Sequence, residues 1–418
     1  MPKLDVALVN QPYDQVLPPR QNSMGLIGYN TALALSRDAD VRVYARRLPH
    51  GDEALALPFQ LRYTETPWDE VLESVTRRLP RLSQRLGLHR LREQYPDYAR
   101  RVAAALGRSP PDIVHVMNYW TWSRQLRPRH SSRRLVLEMQ CEWLSQFDPA
   151  RVGRQLEAVD AVVGVSNHIT TLFRDAFPRY PGIVATAWNG VDVDVFCPAS
   201  ERAATPESDG PLILFVGRVS PEKGVHTLLD ALAELVRHMP DARLEIVGGR
   251  GSLAPELLVG LSSDPLVSAL LRFYDGRLTT NYWGYLQARV RRHGLEKHVR
   301  FAGVLPHSEL VAIYQRADLV VNPSLSESFG ISVIEGMACG VPVVATGVGG
   351  MRDTVLEGVT GLLVDPEQPE LLAGAMKSIL GDRDRSARMA AAGRARAMAE
   401  FTWAARARRL LEVYRRLV

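Results

Sequence analysis

Lysine is almost missing from this chain of 418 residues. Only Lys3, Lys223, Lys297 and Lys377 occur, although lysine and arginine together number 51. Arginine therefore carries most of the positive charge, and a lysine in a polar loop stands out. Cysteine is scarce too. Cys141, Cys197 and Cys339 are odd in number and far apart, with no Cys-x-x-Cys and no paired histidines. That pattern argues against a disulfide framework or a structural zinc site and suits a reducing cytoplasm. No apolar run reaches the roughly 18 to 20 residues of a membrane span. Met1-Pro2-Lys3-Leu4-Asp5 lacks the apolar core of a signal peptide, so a soluble cytoplasmic protein is expected. The net charge of +5 comes without any basic run interleaved with aromatics, which argues against nucleic acid as a partner. With 46% hydrophobic residues the chain can bury more than one core, and two domains are expected.

The first half opens on a strand, Leu4–Asn10, followed by a Pro-rich loop to Asn22-Ser23-Met24-Gly25 and a helical stretch. Apolar runs at residues 41–44, 113–116, 135–137, 161–165 and 183–186 read as further strands of a parallel sheet. The polar stretch Cys197–Gly210, with two prolines and no periodicity, reads as a linker. Beyond it, Leu212–Val216 is a strand. Gly217-Arg218, then Ser220-Pro221-Glu222-Lys223-Gly224, and the helical spacing of Val225, Leu228, Leu229 and Leu232 follow. A loop between strand and helix at the carboxyl edge of a parallel sheet is where α/β proteins bind ligands, and this one carries Arg218 and Lys223.

Further on, Ser326-Glu327-Ser328-Phe329-Gly330-Ile331 leads into a helix that carries Glu335, eight positions after Glu327. Gly330 permits a close backbone approach, and the free N–H groups of the next turn suit an anion. Two carboxylates around a helix start can accept from sugar hydroxyls and from a ribose diol, with a diphosphate between them. A solvated amphipathic helix is the plain alternative for the two glutamates taken alone.

These residues resemble the retaining glycosyltransferases of family 4. The resemblance runs through Gly217–Gly224, Leu244–Gly249, Val299–Gly303, Ala317–Ser324, the Glu-x7-Glu stretch and Gly349-Gly350. It implies an α/β GT-B fold, with two Rossmann-like doubly wound parallel-sheet domains facing across a cleft. On that reading residues 1–198 form the acceptor-side domain and 199–400 the donor-side domain, with a helix at 401–418 crossing back to the first. The implied activity is transfer of a hexose-type sugar from a nucleoside diphosphate sugar, UDP first, to an acceptor hydroxyl. The acceptor stays open between a saccharide, a lipid-linked glycan and a small natural product. No cofactor or metal is required. Neither Asp192-x-Asp194 nor Asp382-Arg383-Asp384 is placed like an ion site. A sugar-nucleotide binder without turnover, and an epimerase on the same architecture, are the rival readings.

The resemblance assigns Arg218 and Lys223 to the diphosphate, Glu327 to the sugar hydroxyls and Glu335 to the ribose. Gly25, Gly217, Gly248, Ser328, Phe329, Gly330 and Ile331 complete the donor contacts. Where many members carry a histidine facing the sugar, this chain has Gln140, whose amide can orient but not carry a proton charge near neutral pH. Gly25 and Gly28 suit either a second phosphate-facing helix start or close helix packing. Tyr119 and Trp120 suit either a stacking shelf for an acceptor sugar or a core. Glu142 suits either an acceptor contact or a salt bridge. The long connection from Arg250 to about Trp283, with Tyr274, Asn281 and Tyr282, is a candidate to cover the donor or touch the acceptor. The arginine-rich residues 77–108, with interleaved leucines, suit either peripheral contact with an anionic membrane or an ordinary surface helix.

Overall fold

The computed structural model describes residues 3–18, 21–47, 56–88, 92–127, 133–199, 210–251, 261–262, 264–274 and 282–418. Most of the expected linker, residues 200–209, lies outside the described residues, as do Arg90, Leu91 and Asn281. The chain divides into two compact units. One comprises Met1–Val165, Ile169–Ala187 and Arg406–Val418, and the other Ser166–His168 and Trp188–Ala405.

The first unit is built on β1 (Leu4–Val9), β2 (Ala39–Arg46), β3 (Gln60–Thr64), β4 (Ile113–Met117), β5 (Arg134–Met139), β6 (Ala161–Gly164) and β7 (Ile183–Thr186). They form one seven-stranded sheet in the order β3-β2-β1-β4-β5-β6-β7. Every pairing is parallel, with Val6 opposite both Val41 and Ile113. Parallel neighbours need crossover connections, so their faces are covered and the strands read as continuous apolar runs. Val6, Ala7, Leu8 and Val9 are all buried, each large side chain contributing about 1.5–3 kcal/mol relative to exposure. β3 was not expected. It lies at the sheet edge with a half-buried, polar sequence, Gln-Leu-Arg-Tyr-Thr, that lacks the signal of a central strand.

The second unit has β8 (Leu212–Val216), β9 (Arg243–Val247), β10 (Val299–Gly303), β11 (Leu319–Asn322), β12 (Val343–Thr346) and β13 (Gly361–Val364). Their order is β10-β9-β8-β11-β12-β13, again all parallel. Ile213, Phe215, Leu228, Leu232, Leu244 and Ile246 belong to its core. Both sheets are doubly wound, as expected. In each, the first strand is central and the order reverses beside it, between β1 and β4 and between β8 and β11.

The arginine-rich region is divided into the helices Pro67–Arg78, Pro80–Arg85 and Pro96–Arg108. Each opens on a proline, which has no N–H to continue a preceding helix.

Arg406 is fully buried in the first unit and anchors its C-terminal segment there. Its Nη2 lies 2.6 Å from Glu138 Oε2, while Nε donates to Thr31 Oγ1 and Nη1 to the Ala187 carbonyl, each at 2.8 Å. His115 Nε2 is 3.1 Å from the same carboxylate, and His115 Nδ1 is 2.6 Å from the Tyr414 hydroxyl. Burial opposes ionisation of Glu138, but the Arg406 charge and the hydrogen bonds from His115 and Gln140 outweigh it and draw its pKa down to about 2. A carboxyl with an ordinary value of 4.5 and a folded value of about 2 contributes stability fully above 4.5 and loses it as pH falls toward 2. Arg406→Met should leave the buried Glu138 carboxylate without its guanidinium partner and destabilise the protein by about 3–5 kcal/mol at pH 7 in urea unfolding. Adding Glu138→Gln should recover part of that loss, and the deficit of the single variant should shrink below pH 4.5.

Candidate functional site

In the second unit the loops after β8 and β11 leave neighbouring strands at the point where the sheet order reverses. The first loop carries Arg218 and a short 3-10 turn, Pro221–Lys223. Gly224 follows with φ of 65°, and a Cβ there would lie 2.0 Å from the Pro323 carbonyl, so the two loops touch backbone to backbone. That contact lets Lys223 Nζ reach Glu327 Oε2 at 2.8 Å, across 104 residues of sequence. Both side chains are mostly buried. Burial raises the cost of ionising Glu327, but the Lys223 charge and hydrogen bond, with the Phe329 amide, hold its pKa below the usual carboxylate range.

Glu327 is held by its backbone as well, its carbonyl accepting from the Gly350 N–H at 2.9 Å. Gly330 then caps the helix Ile331–Ala338 with φ of 93° and supplies no side chain to its N–H groups. Ser328 and Ile331 are half-buried on either side, and Phe329 is buried edge-on against Phe401 at 5.8 Å. The helix start is therefore open to an anion beside a lysine and a carboxylate. Arg218 stands 40% exposed, its Nη2 3.0 Å from Glu222 Oε1. Gly217 and Gly248 end β8 and β9 back to back, where a Cβ on Gly248 would come within 1.8 Å of the Gly217 carbonyl. Glu335 is buried, its two oxygens each 2.8 Å from a partner, His307 Nε2 and the Tyr314 hydroxyl. Burial disfavours the charged His307, yet Glu335 outweighs it and raises the imidazole pKa. The structure thus brings Lys223 and Glu327 together, places Arg218 against Glu222, and ties Glu335 to His307 and Tyr314.

The remaining candidates lie in the first unit, also near carboxyl ends of strands. Close packing alone requires Gly25, since a Cβ there would lie 1.9 Å from the Gln15 carbonyl. Its N–H is capped by Asn22 Oδ1 at 2.7 Å. After β5, Gln140 Nε2 donates to Glu138 Oε1 at 2.5 Å, and its N–H to Asn118 Oδ1 at 2.7 Å. Gln140 is therefore coupled to the Arg406 network. Trp120 is buried against Phe147, with Arg151 over its ring, and Tyr119 stacks on the buried Trp122 at 4.0 Å. Glu142 Oε2 accepts from Gln146 Nε2 at 2.9 Å.

Sequence reasoning missed Asp14. It is 2% exposed beneath the β1 loop, held by Gln11 and Asn22, close to the ring cluster of Tyr13, Tyr95 and Tyr119. Its loop position gave no periodic signal, and Tyr95 and Tyr119 of the cluster beside it are distant in sequence. Burial raises its pKa from 3.8 to about 7, with the hydrogen bonds from Asn22 and Gln11 opposing. A carboxyl raised in the fold favours folding below 3.8 and loses that contribution as pH rises toward 7. Asp14→Asn should therefore flatten the dependence of stability on pH between 4 and 7, measured by thermal unfolding across that range.

The family model for glycosyl transferases group 1 matches residues 199–396. The D-inositol 3-phosphate glycosyltransferase of Kineococcus radiotolerans is 35% identical over 343 residues, covering 73% of this chain and 72% of that protein. The protein of the same name from Corynebacterium urealyticum is 32% identical over 255 residues, 58% of this chain and 53% of its own length. The chain spans little more than half the length of this and other curated relatives it matches. Among solved structures, Anabaena HepE in complex with UDP aligns over 99% of this chain and 100% of its own, with a TM-score of 0.71 at 19% identity, a likeness of fold. The two doubly wound parallel sheets and these likenesses make the fold GT-B. The chain belongs to the glycosyl transferases group 1 family, of the family 4 type that its motifs resemble.

Proposed function

We propose that this protein is a retaining glycosyltransferase that takes a hexose-type sugar from a nucleoside diphosphate sugar, UDP being the carrier to test first. The Lys223–Glu327 pair at 2.8 Å, beside the uncapped start of the Ile331–Ala338 helix, carries this reading. It sets a cation for the diphosphate and an ionised acceptor for sugar hydroxyls in one place. Arg218 is the second cation for the leaving diphosphate. Glu335 is the ribose ligand, its carboxylate oriented by His307 and Tyr314. Gly25, Gly217, Gly248, Ser328, Phe329, Gly330 and Ile331 let the backbone approach the donor closely.

Retention follows if the acceptor hydroxyl attacks on the face that the diphosphate leaves and the departing phosphate oxygen takes the hydroxyl proton. The protein then needs no side-chain nucleophile and no metal. It holds donor and acceptor in contact and stabilises the charge that develops on the leaving group. Gln140, oriented by Glu138, is the amide that fixes a sugar hydroxyl. Tyr119, Trp120 and Glu142 are the candidates for the acceptor side, with the two rings supporting the wall from within. Residues 1–198 are assigned to the acceptor, 199–400 to the donor and 401–418 to the closing helix.

The acceptor reading favoured by the surface is a lipid-linked one. Leu79, Leu82 and Leu86 are 51%, 46% and 61% exposed beside the exposed Arg77, Arg78, Arg81 and Arg85. Apolar side chains interleaved with arginine suit the surface of an anionic bilayer. The protein should sediment with phosphatidylglycerol vesicles and not with phosphatidylcholine vesicles, and Leu82→Gln with Arg81→Gln should reduce that binding. Equal sedimentation with both lipids would remove the anionic-membrane reading.

The donor site is tested by UDP release from UDP-glucose and other UDP sugars, without added metal. Glu327→Ala and Lys223→Ala should each lower release by about 10²-fold or more in protein whose circular dichroism shows it still folded. Undiminished release in either variant would overturn the assignment.

A further inference from the structure

Behind Arg218 the second unit buries two polar atoms that have no partner among the described residues, Glu222 Oε2 and the Tyr274 hydroxyl. Glu222 is 1% exposed. Its other oxygen, Oε1, accepts from the Ser220 hydroxyl at 2.6 Å and pairs with Arg218 Nη2 at 3.0 Å. Tyr274 ends a short helical segment, Pro265–Ser268 followed by Ala269–Phe273. Val267, Leu270 and Phe273 from that segment pack with Leu325, and Tyr274 lies against the same cluster. Leu325 in turn donates its N–H to the Glu222 carbonyl at 2.8 Å, so one residue joins the tyrosine's segment to the turn that bears Glu222. On the outer side, Arg272 Nη2 meets Glu367 Oε1 at 2.9 Å and fixes the segment to the unit. Burial raises the Tyr274 pKa to about 12, with Glu222 adding to the rise and Arg218 opposing it. The phenol therefore stays protonated and able to donate.

A buried carboxylate oxygen and a buried hydroxyl, both unpaired and close to one cation, form an incomplete network. We propose that Tyr274 and Glu222 are positioning residues that govern Arg218, Glu222 holding the guanidinium while the site is empty and Tyr274 donating to Glu222 when a diphosphate draws Arg218 away. No bond is made or broken beyond this exchange of hydrogen bonds. With Ser220 and Tyr274 both donating, the carboxylate loses no hydrogen bond when Arg218 turns to its ligand. Diphosphate affinity is thereby set partly by a tyrosine that touches neither nucleotide nor sugar. This inference rests on the reading of Arg218 as a diphosphate ligand, and the experiment separates the two.

Nucleoside diphosphate binding is measured by titration calorimetry with UDP, and with GDP and ADP in parallel, on wild type, Tyr274→Phe, Arg218→Ala and the double variant. Tyr274→Phe keeps the ring and removes only the hydroxyl, so its melting temperature without ligand should match wild type. Its Kd for the diphosphate that binds wild type should rise by roughly tenfold, as expected for loss of a hydrogen bond to a charged group. In the Arg218→Ala background the same change should have no further effect. If Arg218→Ala weakens binding and Tyr274→Phe does not, the positioning role is overturned while the donor site stands. An equal loss from Tyr274→Phe with and without Arg218 would also overturn it, because the tyrosine would then act independently. If Arg218→Ala binds as well as wild type, or wild type binds none of the three nucleotides, the donor reading fails first and this one with it.

Discussion

Two parallel strands that neighbour each other in space but send their chains to opposite faces of the sheet leave a gap at their carboxyl ends. In the second unit those strands are β8 and β11, and the rest of the site depends on how their loops fill the gap. Gly224 brings the loop backbones into contact, and the contact allows a lysine and a glutamate to meet at 2.8 Å. Each charge lowers the burial penalty of the other, so both persist in a mostly dry place. Gly330 turns the chain from this pair into a helix whose first N–H groups receive no side-chain cap. The pair and the helix start thus set charges and dipoles in one place, fixed by the backbone around them.

The first unit repeats the sheet reversal between β1 and β4 but fills its loops differently. In place of a lysine–glutamate pair it has a tyrosine cluster over a buried aspartic acid and, on β5, a buried glutamate shared by Arg406, His115 and Gln140. The glutamate network links the end of β5, where the Gln140 amide sits, to helix, strand and C-terminal segment at once. A buried ion pair of this kind adds little stability beyond well-packed apolar residues, but breaking it is severe. Its effect is to fix where Gln140 can point.

Much of the architecture was legible from local chemistry. Central parallel strands are covered on both faces, so β1, β4, β8 and β11 read as apolar runs, and helix spacing after Lys223 placed the following helix correctly. β3 escaped because an edge strand with one half-exposed face carries polar residues at its outer positions. Trp120 illustrates the opposite problem: two tryptophans after a strand are by default a core but also suit a ligand shelf, and the packing of Trp120 against Phe147 and Arg151 is visible only in the fold.

The sequence by itself determined the pattern of central strands and the helices between them, the family, and the presence of a cationic loop and an acidic one. These follow from short-range rules of side-chain periodicity, backbone freedom at glycine, and ordered motifs. Tertiary structure alone decided which charges meet. Lys223 finds Glu327 across 104 residues, Arg406 finds Glu138 across 268, and Glu222 keeps one oxygen without a partner among the described residues, near Tyr274. Electrostatic partnership depends on distance and burial in space, and neither is encoded in the neighbours of a residue along the chain.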